Sequence, residues 1–201
     1  MSIYSLLPSF PHENHYAPFV TLQNEFSNEE LFNLCNYVET NLTPSEATVG
    51  GEDNFKVVES IRRSKCYWVS NNENTSWLYD RLGWIVRKIN SNFYNFDLFG
   101  FIEDFQYTIY EQSYNGFYTW HIDSGVGHGT PRKLSLVLQL SSPDEYEGGD
   151  LEIMNSSEPQ VVTKEKGLVT VFPSFTLHRV TPVTKGVRKT LVIWIAGPAF
   201  K

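Results

Sequence analysis

The first half of the chain carries apolar residues at helical spacing. Ser27 and Glu30 form a capping-box pattern, and an apolar stripe follows at Leu31, Leu34 and Val38. This pattern predicts a helix that begins just after Ser27. A second helix is predicted over about 75–93, where one face carries Leu78, Leu82, Ile85 and Ile89.

From residue 101 onward the apolar runs become short and rich in β-branched and aromatic residues. They lie at 101–110, 117–123, 134–140, 150–154, 168–173 and 187–196. Turns rich in glycine, proline and aspartate separate them, which favours a sandwich or jelly roll over alternating strands and helices. We therefore predict a mostly β fold, a double-stranded β-helix (jelly roll), with N-terminal helices packed on one face in an α+β arrangement.

The domain organisation follows from length and texture. The 201 residues contain no repeat and no linker, so we expect a single domain over 1–201, with a helical support region at 1–100 and a jelly-roll core at 101–201. The stretch 43–60 is polar and contains Gly50-Gly51, which predicts a mobile loop that closes over the site as a lid.

Charge and hydropathy narrow the classes of partner. The net charge of −7 argues against a general nucleic-acid binder, which needs clustered lysine and arginine. No run approaches the roughly 18 apolar residues of a membrane helix, so no membrane partner is expected. The N-terminus lacks the basic and apolar regions of a signal peptide, and we expect a cytoplasmic protein.

Three residues form a candidate metal site. His121 and Asp123 are two residues apart in the predicted strand 117–123, so both point to the same face and can reach one ion. A helix would separate them by about 200°. A later strand would bring His178 back across the barrel mouth. Two histidines and one aspartate form a facial triad that suits non-haem Fe(II), with Mn or Zn as chemically allowed substitutes.

Arg188 lies in a strongly apolar strand, on one face with Thr190, Val192 and Trp194. An inward arginine is costly without an anion. A guanidinium binds a carboxylate bidentately, which fits the distal carboxylate of 2-oxoglutarate. The alternative is a pair with one of the chain's own acidic residues. Together with the triad, Arg188 predicts a 2-oxoglutarate-dependent dioxygenase that uses Fe(II), with 2-oxoglutarate and O2 as co-substrates.

The C-terminal segment also resembles a known family. From Tyr110 to Pro198 the chain resembles the prolyl 4-hydroxylase-type branch of the 2-oxoglutarate/Fe(II)-dependent oxygenases, through Y-T-W-H-I-D, Y-E-G-G-D-L, F-P-S-F-T-L-H-R-V and K-G-V-R-K-T-L-V-I-W. The resemblance implies that His121, Asp123 and His178 are the catalytic iron ligands and that Arg188 anchors the co-substrate. It also implies hydroxylation of a prolyl residue in a peptide or protein, allows ascorbate as a cofactor, and fits a bacterial cell or a phage-infected host.

The resemblance implies further co-substrate contacts. Tyr110 matches a family tyrosine near 2-oxoglutarate, although the longer loop that follows leaves Tyr114 as an alternative for that role. Gln139 falls where some relatives place a tyrosine that binds the same carboxylate, and a glutamine amide can donate similarly, unless it is a surface residue of an alternating strand. Thr190 adds a hydroxyl, or serves only as a strand former.

Two other functions stay open at this point. One is a cupin-like sensor or binding module that keeps the metal without turnover. The other is an oxygenase that acts on a nucleotide or another small molecule instead of a peptide or protein. The oligomeric state does not follow from the sequence.

Overall fold

A computed structural model describes residues 17–46, 58–127 and 130–199. The predicted lid at 43–60 lies mostly outside the described residues, so it stays a prediction.

Two α-helices occupy the segments with helical spacing, α1 at Asn28–Asn41 and α2 at Ser76–Ile89. The predicted capping box is present: Ser27 Oγ accepts a hydrogen bond from the Glu30 N–H at 3.2 Å, and the Glu30 carboxylate accepts one from the Ser27 N–H at 2.8 Å. α2 ends earlier than predicted because a π-helical turn at Asn90–Tyr94 follows it. Neither helix is long and apolar enough to cross a membrane.

Each of the six predicted β runs contains a strand, and short strands lie between and before them. The described strands are β1 (Val20–Leu22), β2 (Ser45–Glu46), β3 (Arg62–Arg63), β4 (Lys65–Val69), β5 (Phe105–Glu111), β6 (Phe117–His121), β7 (Val126–Gly127), β8 (Thr130–Gln139), β9 (Tyr146–Gly148), β10 (Leu151–Met154), β11 (Pro159–Val161), β12 (Val169–Pro173), β13 (His178–Val180) and β14 (Val183–Ala196).

The strands form two antiparallel sheets. The major sheet has the order β1-β12-β8-β14-β5-β4-β2, with β7 also paired to β8 and β9 to β14. The minor sheet has the order β11-β10-β13-β6-β3. Consecutive strands along the chain alternate between the sheets in several places, as a jelly roll requires. The predicted mostly β architecture is therefore confirmed.

The central strands of the major sheet have two different faces, as the period of two requires. One face packs against both helices in a single apolar core that includes Leu134, Leu136, Leu138, Leu191 and Ile193. The opposite face lines a cavity and includes Val137, Arg188, Thr190, Val192 and Trp194. The helices thus cover the outer face of the major sheet, and its inner face is left for chemistry.

Residues before position 101 also contribute strands to both sheets. Val20 of β1 pairs with Val171 of β12, and β4 pairs along β5. Arg62 of β3 pairs with Tyr118 of β6 in the minor sheet. The first hundred residues are thus more than helical support. Three of their four described strands have only two or three residues, which is too short to show a period in the sequence.

Candidate active site

The three predicted metal ligands come together on the minor sheet. β6 ends at His121, β13 begins at His178, and these two residues are register partners. Asp123 lies just beyond the end of β6, where its backbone N–H donates to the Ser174 carbonyl at 2.8 Å. One ligand atom from each of the three side chains lies within 4.8 Å of the others. The arrangement leaves a common point that all three side chains can reach.

Backbone carbonyls orient both imidazoles. His121 Nδ1 lies 2.7 Å from the Thr119 carbonyl oxygen, and His178 Nδ1 lies 2.9 Å from that of Thr176. A carbonyl oxygen only accepts hydrogen bonds, so each Nδ1 carries the hydrogen and each Nε2 keeps a free lone pair. Both Nε2 atoms lie 3.5 Å from Asp123 carboxylate oxygens. This tautomer is the one that a metal ligand needs.

The charge states suit metal binding as well. Burial, together with the neighbouring His178, lowers the pKa of His121 to about 4, so its imidazole is neutral at pH 7. Burial alone would raise the pKa of Asp123. His178, His121 and a 2.8 Å hydrogen bond from the Ser135 hydroxyl instead hold that pKa below its usual value. At neutral pH the site therefore presents the neutral imidazole of His121 and the anionic carboxylate of Asp123.

Arg188 lies on β14, on the inner face of the major sheet, and only 3% of its surface is exposed. Its Nε has no hydrogen-bond partner, and its guanidinium makes no ion pair with any residue of the described ranges. It shares a cavity of about 380 Å³ with the three metal ligands. An unpaired guanidinium is thus buried in the same cavity as the metal site, and it requires an anion.

Comparisons with known proteins agree with this geometry. The family profile of the 2OG-Fe(II) oxygenase superfamily matches residues 105–196. Residues 105–196 form a 2OG-Fe(II) oxygenase domain. The family implies Fe(II), 2-oxoglutarate and O2 as its cofactor and co-substrates.

Individual relatives extend the comparison. A PKHD-type hydroxylase of Teredinibacter turnerae is 44% identical over 86 residues, which cover 40% of this chain and 38% of that protein. A PKHD-type hydroxylase of Synechococcus sp. strain CC9311 is 29% identical over 170 residues, 83% of this chain and 70% of that protein. The first alignment therefore spans well under half of its relative, and the second about two thirds.

A solved structure shows the same fold. The prolyl hydroxylase of Trichoplax adhaerens, in complex with a peptide fragment of the hypoxia inducible factor oxygen degradation domain, superposes with a TM-score of 0.70 at 18% identity. The match covers 90% of this chain and 84% of that one. It therefore extends the fold of the oxygenase domain into the residues before position 105.

The donor set of the oxygenase domain fits the metal that its family uses. Two imidazole nitrogens and one carboxylate, with no soft thiolate among them, suit Fe(II) and leave part of its coordination sphere open. The unpaired Arg188 fits the distal carboxylate of 2-oxoglutarate in the same way. The residues present therefore match both groups.

The other predicted co-substrate residues lie at different places. Tyr110 and Thr190 line the cavity, and the Arg188 guanidinium lies 5.5 Å from the centre of the Tyr110 ring. Burial raises the pKa of Tyr110, so its hydroxyl stays protonated and can donate. Tyr114, the alternative, instead donates to the Ile109 carbonyl at 3.0 Å and does not line the cavity. Of the two tyrosines, Tyr110 has the position that a co-substrate contact needs.

Gln139 is buried, so the alternative that it is a surface residue is wrong. It lies beside the cavity, in a small adjoining pocket that Arg188 also lines. Its amide nitrogen already donates to the Tyr146 hydroxyl at 3.0 Å and to the Ser141 carbonyl at 3.1 Å. Both amide hydrogens therefore have partners, and a direct bond to a co-substrate would need one of these bonds to break.

Sequence reasoning missed two parts of the cavity wall. Arg62, to which the sequence analysis assigns no role, is buried and lines the cavity. Its even spacing from the buried Cys66 does not predict this position, because the two residues lie on different strands, β3 and β4. Trp194, which the sequence places on the same strand face as Arg188, is buried and also lines the cavity. The Arg132 guanidinium lies 3.8 Å from a ring centre of Trp194.

Proposed function

We propose that this chain is a single-domain Fe(II)/2-oxoglutarate-dependent dioxygenase that hydroxylates a prolyl residue in a peptide or protein. The observation that carries this proposal is the shared cavity, in which ligand atoms of His121, Asp123 and His178 lie within 4.8 Å of one another and Arg188 makes no ion pair with a described residue. The PKHD-type hydroxylases that the chain resembles support the reaction class. Because these relatives come from bacteria, we propose that the protein works in the cytoplasm of a bacterial or phage-infected cell.

Each of these residues has a distinct role in the proposal. His121, Asp123 and His178 would hold Fe(II), and Arg188 would bind the distal carboxylate of 2-oxoglutarate through its paired donors. Tyr110 and Thr190 line the same wall and would donate to the co-substrate from their hydroxyls. Bound Fe(II), with 2-oxoglutarate and O2, supplies the oxidising power that places a hydroxyl group on the acceptor.

The protein's own contribution is positioning. The Thr119 and Thr176 carbonyls fix the two imidazole planes, and the Ser135 hydroxyl fixes one oxygen of Asp123. Apolar residues of the inner faces, Val137, Leu151, Val180 and Val192, line the rest of the cavity and limit the water beside the reacting groups. The catalytic groups are therefore oriented before any ligand binds, which reduces the cost of reaching the reactive geometry.

The surface beside the ligands supports a peptide acceptor. Ile122, between two ligands, is 52% exposed, and Phe175 and Leu177, which precede His178, are also exposed. Ile122 lines the cavity, and all three residues lie within three positions of a proposed metal ligand in the sequence. Exposed apolar residues beside a site are typical of a docking surface. The solved prolyl hydroxylase of the same fold holds a peptide fragment.

The proposal is tested by measuring succinate formation from 2-oxoglutarate with Fe(II) under air, over a panel of proline-containing peptides and free amino acids. We expect succinate formation that requires both Fe(II) and 2-oxoglutarate and that rises with a proline-containing acceptor. Mass spectrometry should show a gain of one oxygen atom on that acceptor. If no Fe(II)-dependent succinate forms, either with any of the acceptors or in their absence, turnover is ruled out and a metal-binding sensor is favoured.

A further inference from the structure

Arg62 is a second arginine buried in the cavity, with 6% of its surface exposed. Its guanidinium donates to Gln106 Oε1 at 2.7 Å, to Ser64 Oγ at 2.8 Å and to Cys66 Sγ at 3.2 Å. None of these three partners is a carboxylate. Within the part of the chain that the structure describes, no carboxylate lies within 4.0 Å of Arg62, so its positive charge has no direct counter-ion.

The charges of the cavity wall show which of its cationic side chains lacks an anion. Its described lining includes three arginines and one carboxylate, Asp123. Arg132 is neutralised by Glu103, to which it donates from Nε at 2.7 Å and also from Nη2. A divalent metal and Arg188 would balance Asp123 and the two carboxylates of 2-oxoglutarate. Arg62 alone then remains without an anion, and burying such a charge is costly.

The position of Arg62 separates it from the co-substrate anchor. Arg188 lies on β14 of the major sheet, whereas Arg62 lies on β3 of the minor sheet, next to the strand that carries His121. The Arg62 guanidinium lies 4.7 Å from the centre of the Tyr118 ring, and that ring stacks on His121 with centres 3.5 Å apart. Arg62 is therefore linked to the metal ligands through a single aromatic ring.

We propose that Arg62 binds a carboxylate of the acceptor, and that this enzyme therefore selects an acceptor with a negative charge close to the carbon that is hydroxylated. This inference rests on the proposed function, because it assumes that the cavity holds a metal and 2-oxoglutarate. A guanidinium already fixed by three hydrogen bonds is preorganised, so little side-chain entropy is lost when an anion binds.

A carboxylate of this kind has two sources. It is either the free α-carboxylate of a proline at the end of an acceptor or the side chain of an acidic residue beside the proline. Two matched pairs of probes separate these sources. The first pair is N-acetyl-L-proline and N-acetyl-L-prolinamide. The second is a set of capped tripeptides in which aspartate or asparagine flanks the proline.

The experiment measures dissociation constants by calorimetry without O2, on protein loaded with Mn(II) and 2-oxoglutarate. The variants are Arg62→Gln, which removes the charge, and Gln106→Glu, which supplies the missing carboxylate 2.7 Å from Arg62 while keeping the arginine in place. Gln106→Glu keeps the test valid if Arg62→Gln does not fold. The matched control is Arg63→Gln, because Arg63 is the neighbouring arginine and does not line the cavity.

We expect wild type and Arg63→Gln to bind the acid of at least one pair about 10- to 100-fold more tightly than its amide, as a charge-assisted contact allows. In Gln106→Glu and Arg62→Gln this preference should fall to within about twofold, with unchanged affinity for 2-oxoglutarate. The pair that discriminates identifies the source of the carboxylate.

Three outcomes would overturn the inference. One is wild-type protein that binds acid and amide equally or binds no carboxylate probe. Another is a preference that persists in Arg62→Gln. The third is a loss of 2-oxoglutarate affinity in Arg62→Gln that is as large as its loss of affinity for the acid probe, which would assign Arg62 to the co-substrate. Wild-type protein that binds neither Mn(II) nor 2-oxoglutarate would instead refute the proposed function itself, and that titration is made first.

Discussion

Gly149 lies directly against the side chain of Arg188. A methyl group at Gly149 would lie 3.1 Å from Arg188 Cδ and 2.8 Å from Val183 Cγ2. Gly149 also has a φ of +60°, in the left-handed region that side chains disfavour. The turn that contains Gly149 therefore sets the space available to the arginine that we assign to the co-substrate.

Replacing Gly149 by alanine should weaken 2-oxoglutarate binding by about tenfold, because the new methyl group displaces the Arg188 stem from a site that tolerates little misplacement. The dissociation constant, measured by calorimetry with Mn(II), checks this. Gly83→Ala is the control, since its methyl group would meet only an ordinary contact at 3.8 Å. Unchanged 2-oxoglutarate affinity in a folded Gly149→Ala protein would contradict the prediction.

Arg188→Ala should raise the dissociation constant for 2-oxoglutarate by roughly 30- to 1,000-fold, the equivalent of about 2–4 kcal/mol for a charged bidentate contact. Arg188→Lys should be affected less, because lysine keeps the charge but loses the paired donors. The control is Lys189→Gln, whose side chain pairs with Glu39 instead of lining the cavity. Normal 2-oxoglutarate binding by Arg188→Ala would mean that another cation holds it.

Alanine at His121, Asp123 or His178 should each abolish tight binding of Fe(II) or Mn(II), since three ligands are the minimum for a facial site. Anaerobic calorimetric titration of each variant measures this. Asp104→Asn, at an acidic residue hydrogen-bonded to Ser70 outside the site, should bind metal as wild type does. Wild-type affinity in all three alanine variants would refute the triad.

Ser135→Ala should lower metal affinity by roughly 10-fold, the lower end of the effect of removing a partner of a metal ligand. The serine hydroxyl donates to Asp123 Oδ2 at 2.8 Å, so its loss frees the carboxylate to rotate. Mn(II) titration tests this, with Ser141→Ala as the control because Ser141 bonds only to β14 backbone groups and the Gln139 amide. Equal affinity in both variants would count against this role.

Ser27→Ala should lower the free energy of unfolding by about 1 kcal/mol, because α1 loses the hydroxyl that caps its N-terminus. Denaturant titration measures the change. Affinity for metal and 2-oxoglutarate should be unchanged, since Ser27 is exposed and caps α1, which packs on the outer face of the major sheet. A loss of ligand affinity without a loss of stability would contradict this account.

The sequence predicts well those elements that are long enough for their apolar residues to show a regular period. Both helices and the central strands bury one face, so their apolar residues recur at fixed intervals. The metal ligands follow from the same logic, because an i, i+2 pair shares a face of a strand. Asp123 shows the limit of the argument: the strand ends at His121, and a backbone hydrogen bond to Ser174 places the aspartate.

Arg62 shows why other features escape sequence reasoning. It lies on a strand of two residues, which is too short for a period to show whether its side chain faces inward. Its burial depends on Gln106, 44 positions away, and on a sheet contact with Tyr118. Tertiary contacts of this kind are set by the whole fold, and local patterns do not encode them.

The ligands of the proposed metal site and the proposed co-substrate anchor belong to different sheets. A ligand that contacts both Arg188 and the metal would link β14 of the major sheet to β6 and β13 of the minor sheet. Such a ligand stabilises only the state in which the two sheets are packed. In hydrogen–deuterium exchange, joint addition of Mn(II) and 2-oxoglutarate should therefore slow exchange in both sheets together, whereas Mn(II) alone should protect mainly β6 and β13. The protection that 2-oxoglutarate adds to that of Mn(II) thus measures how strongly the co-substrate stabilises the packing of the two sheets.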